Sequence, residues 1–405
     1  AEDTKSAAGR GGGRGGARRL RWTLAKQGAR PSLSMVTVGV RAPVVGVRGL
    51  GAKGKSLDAL KLIEPPTSQI RQMDFSQRSG GDSCSDVQAK AMAVRTDGAT
   101  SGTRNATKRS IVWFRKGLRM HDNPALLEGV KDASAVYPLY VLNPLCIKPE
   151  KIGASRIRFL LESLADLDSS LKQMGSRLLC LLGNPEDVIP RFIKDFDINF
   201  LSFEFDTEPY HKALDAKIRA SAETLGVTVH SPVSHTLFDP EFMLAKANGN
   251  TPTSYKQFLQ LIQRCGIPQK PVATLTSLPL LPKNDLLWHK YRIPSLGDIG
   301  YDPEDHTSPY RGGESEGLKV LRRCFEDEEW VATFEKPLTS PAEIEHPSTT
   351  VLSPYLKFGC VSSRLFYMKL HQTYQKHTKH TKPPASLLGQ LYWRGVFFLC
   401  GVSFF

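Results

Sequence analysis

The chain has 405 residues, 40% hydrophobic and 23% charged, enough apolar content for packed cores and too much for wholesale disorder. No apolar run approaches the ~18–20 residues needed to span a bilayer, which excludes an integral helical membrane protein, and the seven scattered cysteines form neither a disulfide framework nor a cysteine metal site. The net charge of +14 is unevenly placed: residues 1–109 hold 20 Lys and Arg against 8 Asp and Glu, and the remaining chain is nearly balanced.

Residues 1–108 read as a disordered basic extension or a transit-like segment. They open on a Gly/Arg stretch, carry no sustained hydrophobic period, and break the apolar run 36–47 with Gly39, Arg41, Pro43 and Gly46. Such a segment suits an address in the nucleus, chloroplast or mitochondrion rather than secretion. It also suits a non-specific arm for nucleic acid. The stretch Ala52–Ser56 lacks P-loop spacing.

From residue 109 the pattern alternates. Residues 110–114 form an apolar β-type run, followed by the cations Arg115, Lys116 and Arg119 and then by Asp122, Asn123 and Pro124, which suit a helix start. Strands are predicted at 135–142, 177–182, 198–205 and 227–230. Between them, helices are predicted at 155–174, 186–196 and 209–225, the first from apolar residues Ile157, Leu160, Leu161, Leu164, Leu167 and Leu171. Buried-type strands alternating with helices predict an α/β domain, doubly wound around a parallel sheet, over residues 109–238. Such sheets take ligands at the carboxyl ends of their strands. No G-x-G-x-x-G follows the first strand, so Arg115, Lys116 and Arg119 stand either as an anion site or as a solvated face.

Residues 239–315 are Pro-rich, with one sparse helical signal near 255–264, and read as a long interdomain connector. Residues 316–405 read as helical. The segment Thr349, Thr350, Val351, Leu352, Ser353 and Pro354 places three hydroxyls and several backbone amides at a turn before a helix. That suits either a local helix cap or a phosphate site.

Taken together, residues 111–119 (IVWFRKGLR), 121–126 (HDNPAL), 156–164 (RIRFLLESL), 231–237 (SPVSHTL), 312–314 (GGE), 349–359 (TTVLSPYLKFG) and 389–394 (GQLYWR) resemble the photolyase/cryptochrome family, in order and at its spacing. The wording is most similar to plant-type (6-4) photolyases, with animal cryptochromes as close relatives. The resemblance implies an N-terminal α/β photolyase domain and a helical FAD-binding domain. It implies a blue-light flavoprotein lyase that repairs (6-4) pyrimidine photoproducts in UV-damaged DNA, or a cryptochrome-like photoreceptor. It implies FAD as cofactor, held by Thr349, Thr350, Val351, Leu352 and Ser353 at its phosphates, by Arg394 on the flavin side and, more weakly, by Phe334 and Lys336. Gln390 and Trp393 would line the lesion pocket. An antenna chromophore of unspecified identity is also implied, with no metal, a monomeric state and no membrane partner.

The likeness departs after Trp393-Arg394, where the family continues Glu-Phe-Phe and this chain reads Gly395-Val396-Phe397-Phe398. The family's proton-transfer groups fall in no matched segment, so no catalytic residue is assigned. The expectation is of an incomplete helical domain, with the apolar faces of 362–374 and 385–393 left without partners, residues 316–405 loosely packed, FAD not retained, (6-4) lesions not repaired under blue light and the Phe-rich stretch 395–405 prone to aggregate.

Overall fold

The structure, a computed structural model, describes residues 107–279, 281, 285–304, 308–337 and 347–403. The expected basic extension lies outside them except for Thr107 and Lys108, and Lys108 already belongs to the first strand.

Five strands form one parallel sheet: β1 (Lys108–Phe114), β2 (Ala133–Leu142), β3 (Leu179–Leu182), β4 (Phe200–Phe203) and β5 (Thr228–His230), in the spatial order β3-β2-β1-β4-β5. The crossovers are α1 (Pro124–Val130), α2 (Ala154–Gln173), α3 (Pro185–Asp195) and α4 (Pro209–Thr224). Alternation in β1 divides the core. Ile111 and Trp113 pack with the α3 and α4 face, through Ile189, Phe192, Leu214 and Ile218. Val112 and Phe114 pack on the opposite face, against Leu160 and Leu164 of α2. The helix starts follow the sequence signals. Asn123 Oδ1 accepts from Leu126 N at 3.0 Å with Pro124 in the first turn, and Gly175, at φ +76°, follows the end of α2.

The segment 239–315 is more structured than a connector. It contains α5 (Pro240–Lys246), α6 (Tyr255–Cys265) and α7 (Asp285–Lys290). Asp239 Oδ1 caps α5 through Glu241 N at 2.9 Å, and Ser254 Oγ caps α6 through Gln257 N at 3.3 Å. One face of α6 buries Phe258, Leu261, Ile262 and Cys265.

The remaining helices are α8 (Glu314–Cys324), α9 (Glu328–Thr333), α10 (Ser353–Phe358), α11 (Ser363–Lys376) and α12 (Leu387–Ser403). The loose packing expected for 316–405 is corrected here. The helix α12 packs on α5, α6 and α11, and α11 packs on α9. Leu370, Leu387, Leu391, Tyr392 and Leu399 are buried and join the same core as α2. The α12 face finds partners because α5 and α6, in the Pro-rich segment, cover it, and the α11 face packs on α9 and α12. The stretch after Arg394 is apolar for the same reason: it continues α12, and Leu399 is its inward residue at 1% exposure. Among the described residues no helix is long and apolar enough to cross a membrane.

Candidate functional site

The strand order reverses beside β1, so a crevice opens where the carboxyl ends of β1 and β4 diverge. Arg115, Lys116 and Arg119 line this region, and each is committed to an internal tie. The Arg115 Nη1 donates to Asp215 Oδ1 at 2.5 Å, and its guanidinium stands 4.7 Å from the Trp113 ring. Lys116 Nζ sits 2.9 Å from Asp206 and 2.7 Å from Glu208. Arg119, 1% exposed, donates to the carbonyls of Asp122, Ser234 and Gly359. These cations bind protein rather than stand free as an anion site.

Charge is balanced closely here. Burial pushes the Asp206 carboxyl up, but Lys116 and His211 outweigh it and hold it below the usual range. The His211 ring, 3.4 Å away, and Lys116 hold Glu208 far below that range as well. Burial wins at Asp215, which stays raised despite Arg115. Beside this network lies a cavity of about 240 Å³ lined by Tyr140, Cys146, Arg156, Tyr210, His211 and Lys357 among others. Sequence reasoning located the strand ends but not this cavity, whose walls run from Trp113 to Phe358, 245 positions apart.

The hydroxyl-rich turn has a backbone suited to phosphate. Val351 is left-handed at φ +53° and Leu352 right-handed at φ −80°, ψ −11°. Such a left–right pair turns successive N–H groups into one concavity, a common anion cradle. Thr349 and Ser353 are exposed and Thr350 is half-buried, its Oγ1 3.5 Å from Leu352 N. The turn therefore fits the phosphates of a cofactor. Phe334 and Lys336 stand differently. Phe334 is buried against Trp330, with ring centroids 5.2 Å apart. The exposed Lys336 uses its backbone N–H on Ala385 O at 3.1 Å, just before α12.

Arg394 joins α12 to two other segments. Its Nη1 donates to His235 O at 2.8 Å, and its Nη2 to His235 Nε2 at 2.8 Å and to Leu356 O at 3.2 Å. Acceptance at Nε2 requires a neutral His235. Burial, and next the Arg394 charge, holds the His235 pKa well below its usual value. Burial likewise lowers Arg394 to about 10, so it remains a cation at neutral pH. Arg394 thus fixes α10, which follows the phosphate-type turn, against α12 and the loop after β5.

Gln390 and Trp393, three residues apart, share one face of α12. Gln390 is exposed, and Trp393 is 40% exposed and stacked on Tyr255 at 4.5 Å and 19°. Tyr255 Oη also donates to Gly389 O at 3.3 Å. Tyr255 is the supporting residue that sequence reasoning missed; its only signal was an aromatic at the first position of a weak helix.

A family model described as DNA photolyase matches residues 110–275. The (6-4) DNA photolyase of Arabidopsis thaliana is 46% identical over 301 residues, 71% of this chain and 54% of that protein. The chain belongs to the photolyase/cryptochrome family. Cryptochrome-1 of Spalax judaei is 43% identical, over 73% of this chain and 51% of its own length. Among solved structures, a Synechocystis sp. PCC6803 cryptochrome superposes with a TM-score of 0.61 at 22% identity, covering 74% of this chain and 62% of that one. The photolyase/cryptochrome chain described here spans about half the length of the curated relatives it matches.

Proposed function

We propose that this chain works in blue-light-driven, flavin-dependent repair of (6-4) pyrimidine photoproducts in UV-damaged DNA. The observation that carries the reading is the exposed pair Gln390 and Trp393 on one face of α12, backed by Tyr255, in a chain 46% identical to a (6-4) photolyase. An amide can read a base edge through paired hydrogen bonds, and an exposed indole offers a stacking face. Damaged bases are the easiest to unstack and turn outward toward such a pair.

Thr349, Thr350, Ser353 and the amides around Val351 would hold the FAD phosphates, and Arg394 would keep α10 and α12 in register beside them. When bound, the reduced flavin supplies the light-excited electron. The packing of α11 and α12 removes the objection that these helices lack partners. The cavity at the strand ends is the place in the α/β domain for an antenna chromophore. A second reading, a cryptochrome-like photoreceptor, draws support from the 43% identity to cryptochrome-1.

Binding to a (6-4)-bearing duplex and to its undamaged counterpart separates the two. The repair reading expects a preference for the lesion. Gln390→Ala and Trp393→Ala should each reduce lesion binding by about 5–150-fold, corresponding to ~1–3 kcal/mol, with little effect on undamaged DNA. Equal affinity for both duplexes, unchanged in the variants, would favour the photoreceptor reading.

A further inference from the structure

The last sixty residues, 346–405, contain seven Lys or Arg, four His and no Asp or Glu. Two of their exposed cations, Lys379 and Lys382, lie in the loop between α11 and α12, and this loop is held in place from several sides. Thr381 N donates to Ala332 O at 2.9 Å, and Thr381 Oγ1 to Thr333 O at 3.1 Å. The His380 ring stacks on Tyr374 at 4.5 Å and 5° and its Nδ1 donates to His377 O at 3.0 Å. That leaves His380 Nε2 as an acceptor for Lys382 Nζ at 3.2 Å.

Lys376 is neutralised by Glu328 at 2.6 Å. Lys379 and Lys382 are exposed, and among the described residues neither has a carboxylate within ion-pair distance. Lys336 is exposed on the adjoining strand of chain, bonded through its backbone to Ala385. A fixed ledge of ammonium groups without an ion pair among the described residues is suited to a polyanion. Its position says which one. Ser386 N donates to Lys382 O at 3.4 Å and Gln390 N to Ser386 O at 3.1 Å, so two four-residue hydrogen-bonded steps lead from Lys382, in the non-helical turn before α12, to Gln390. Two such steps span ~11 Å, about three base steps along a duplex strand.

We propose that Lys336, Lys379 and Lys382 form a phosphate-backbone rail for DNA, starting about three nucleotides from the base that faces Gln390 and Trp393. This rests on the DNA-facing reading of α12, and it assigns to the rail affinity and register without lesion preference. An anionic membrane fits less well, because the ledge is a short rigid loop aligned with an amide and an indole rather than an amphipathic helix.

The test measures binding of the whole chain to damaged and undamaged duplexes over a range of salt concentrations. Lys379→Ala/Lys382→Ala should weaken both duplexes alike and make the plot of log affinity against log salt shallower by about 1.8, or ~0.9 per phosphate lost. Lys379→Arg/Lys382→Arg should keep the slope, and ethylation of phosphates about three nucleotides from the lesion should interfere with binding. An unchanged slope, or a loss confined to damaged DNA, would overturn the rail while leaving the lesion reading intact. A flattened slope with no lesion preference in the unaltered chain would uphold the rail and overturn the lesion reading. Absence of DNA binding, or lysine-dependent binding to phosphatidylserine vesicles alone, would overturn both.

Discussion

Replacing Asp122 with Ala should destabilise the protein by about 3–5 kcal/mol, the cost of leaving a buried charge without its partner. Asp122 is fully buried in the loop after β1, and its carboxylate takes Arg364 in both lobes, Nη2 to Oδ1 at 2.7 Å and Nε to Oδ2 at 3.0 Å. It also accepts from Ser362 Oγ and from Val272 N. Arg364 is 3% exposed, so no water replaces the lost carboxylate. The same substitution frees Ser362, whose Oγ caps α11 by accepting from Arg364 N and Leu365 N. Thermal unfolding should show the midpoint lowered by roughly 10 °C. Asp122→Asn should fall between, keeping one acceptor oxygen but losing the charge and the second acceptor. A midpoint within about 2 °C of the parent for Asp122→Ala would contradict this account of the junction.

Gly359→Ala should have a comparable effect by a steric route. Gly359 ends α10 at φ +67°, and a Cβ there would lie 1.5 Å from Lys116 O. The contact is a working one: Leu118 N donates to Phe358 O at 3.2 Å, and Arg119 Nη1 to Gly359 O at 3.0 Å. A side chain must therefore push the loop after β1 away from α10. The left-handed backbone adds ~1–2 kcal/mol and overpacking ~1–3 kcal/mol, for a total of about 2–5 kcal/mol. Hydrogen exchange should show the Leu118 amide losing protection along with the lower midpoint. Retained protection at Leu118 would mean that the contact adjusts without cost.

The two junctions show where sequence reasoning reached its limit. The apolar run 110–114 and the helical period in 155–174 reveal their own structure, since each pattern is local and spans several residues. Asn123 and Pro124 announced a helix start for the same reason. The pairing of Asp122 with Arg364 joins positions 242 apart in the chain, and no local pattern marks it. Helix α5 was obscured by surrounding prolines, although Asp239 turned out to be an ordinary cap, and α6 showed only as the sparse signal at 255–264 within an expected connector. Reading both as connector left α12 without visible partners and led to the expectation of loose packing. At the site, Gln390 and Trp393 were legible through the resemblance of 389–394 alone. Their support by Tyr255 needed the fold. The basic run after β1 was open to two readings until Asp206, Glu208 and Asp215 were seen to neutralise it.

The central claim is that this chain serves light-driven repair of (6-4) lesions, and the direct measurement is conversion of a defined lesion. The purified chain, supplied with reduced FAD, is mixed with a short duplex carrying one (6-4) photoproduct, and the bases recovered in blue light and in darkness are resolved by chromatography. The account predicts restored, unlinked pyrimidines in the light only, with the yield sharply reduced in Trp393→Ala. Equal yields in light and dark, or no repair despite a flavin absorption band near full occupancy on the protein, would contradict it.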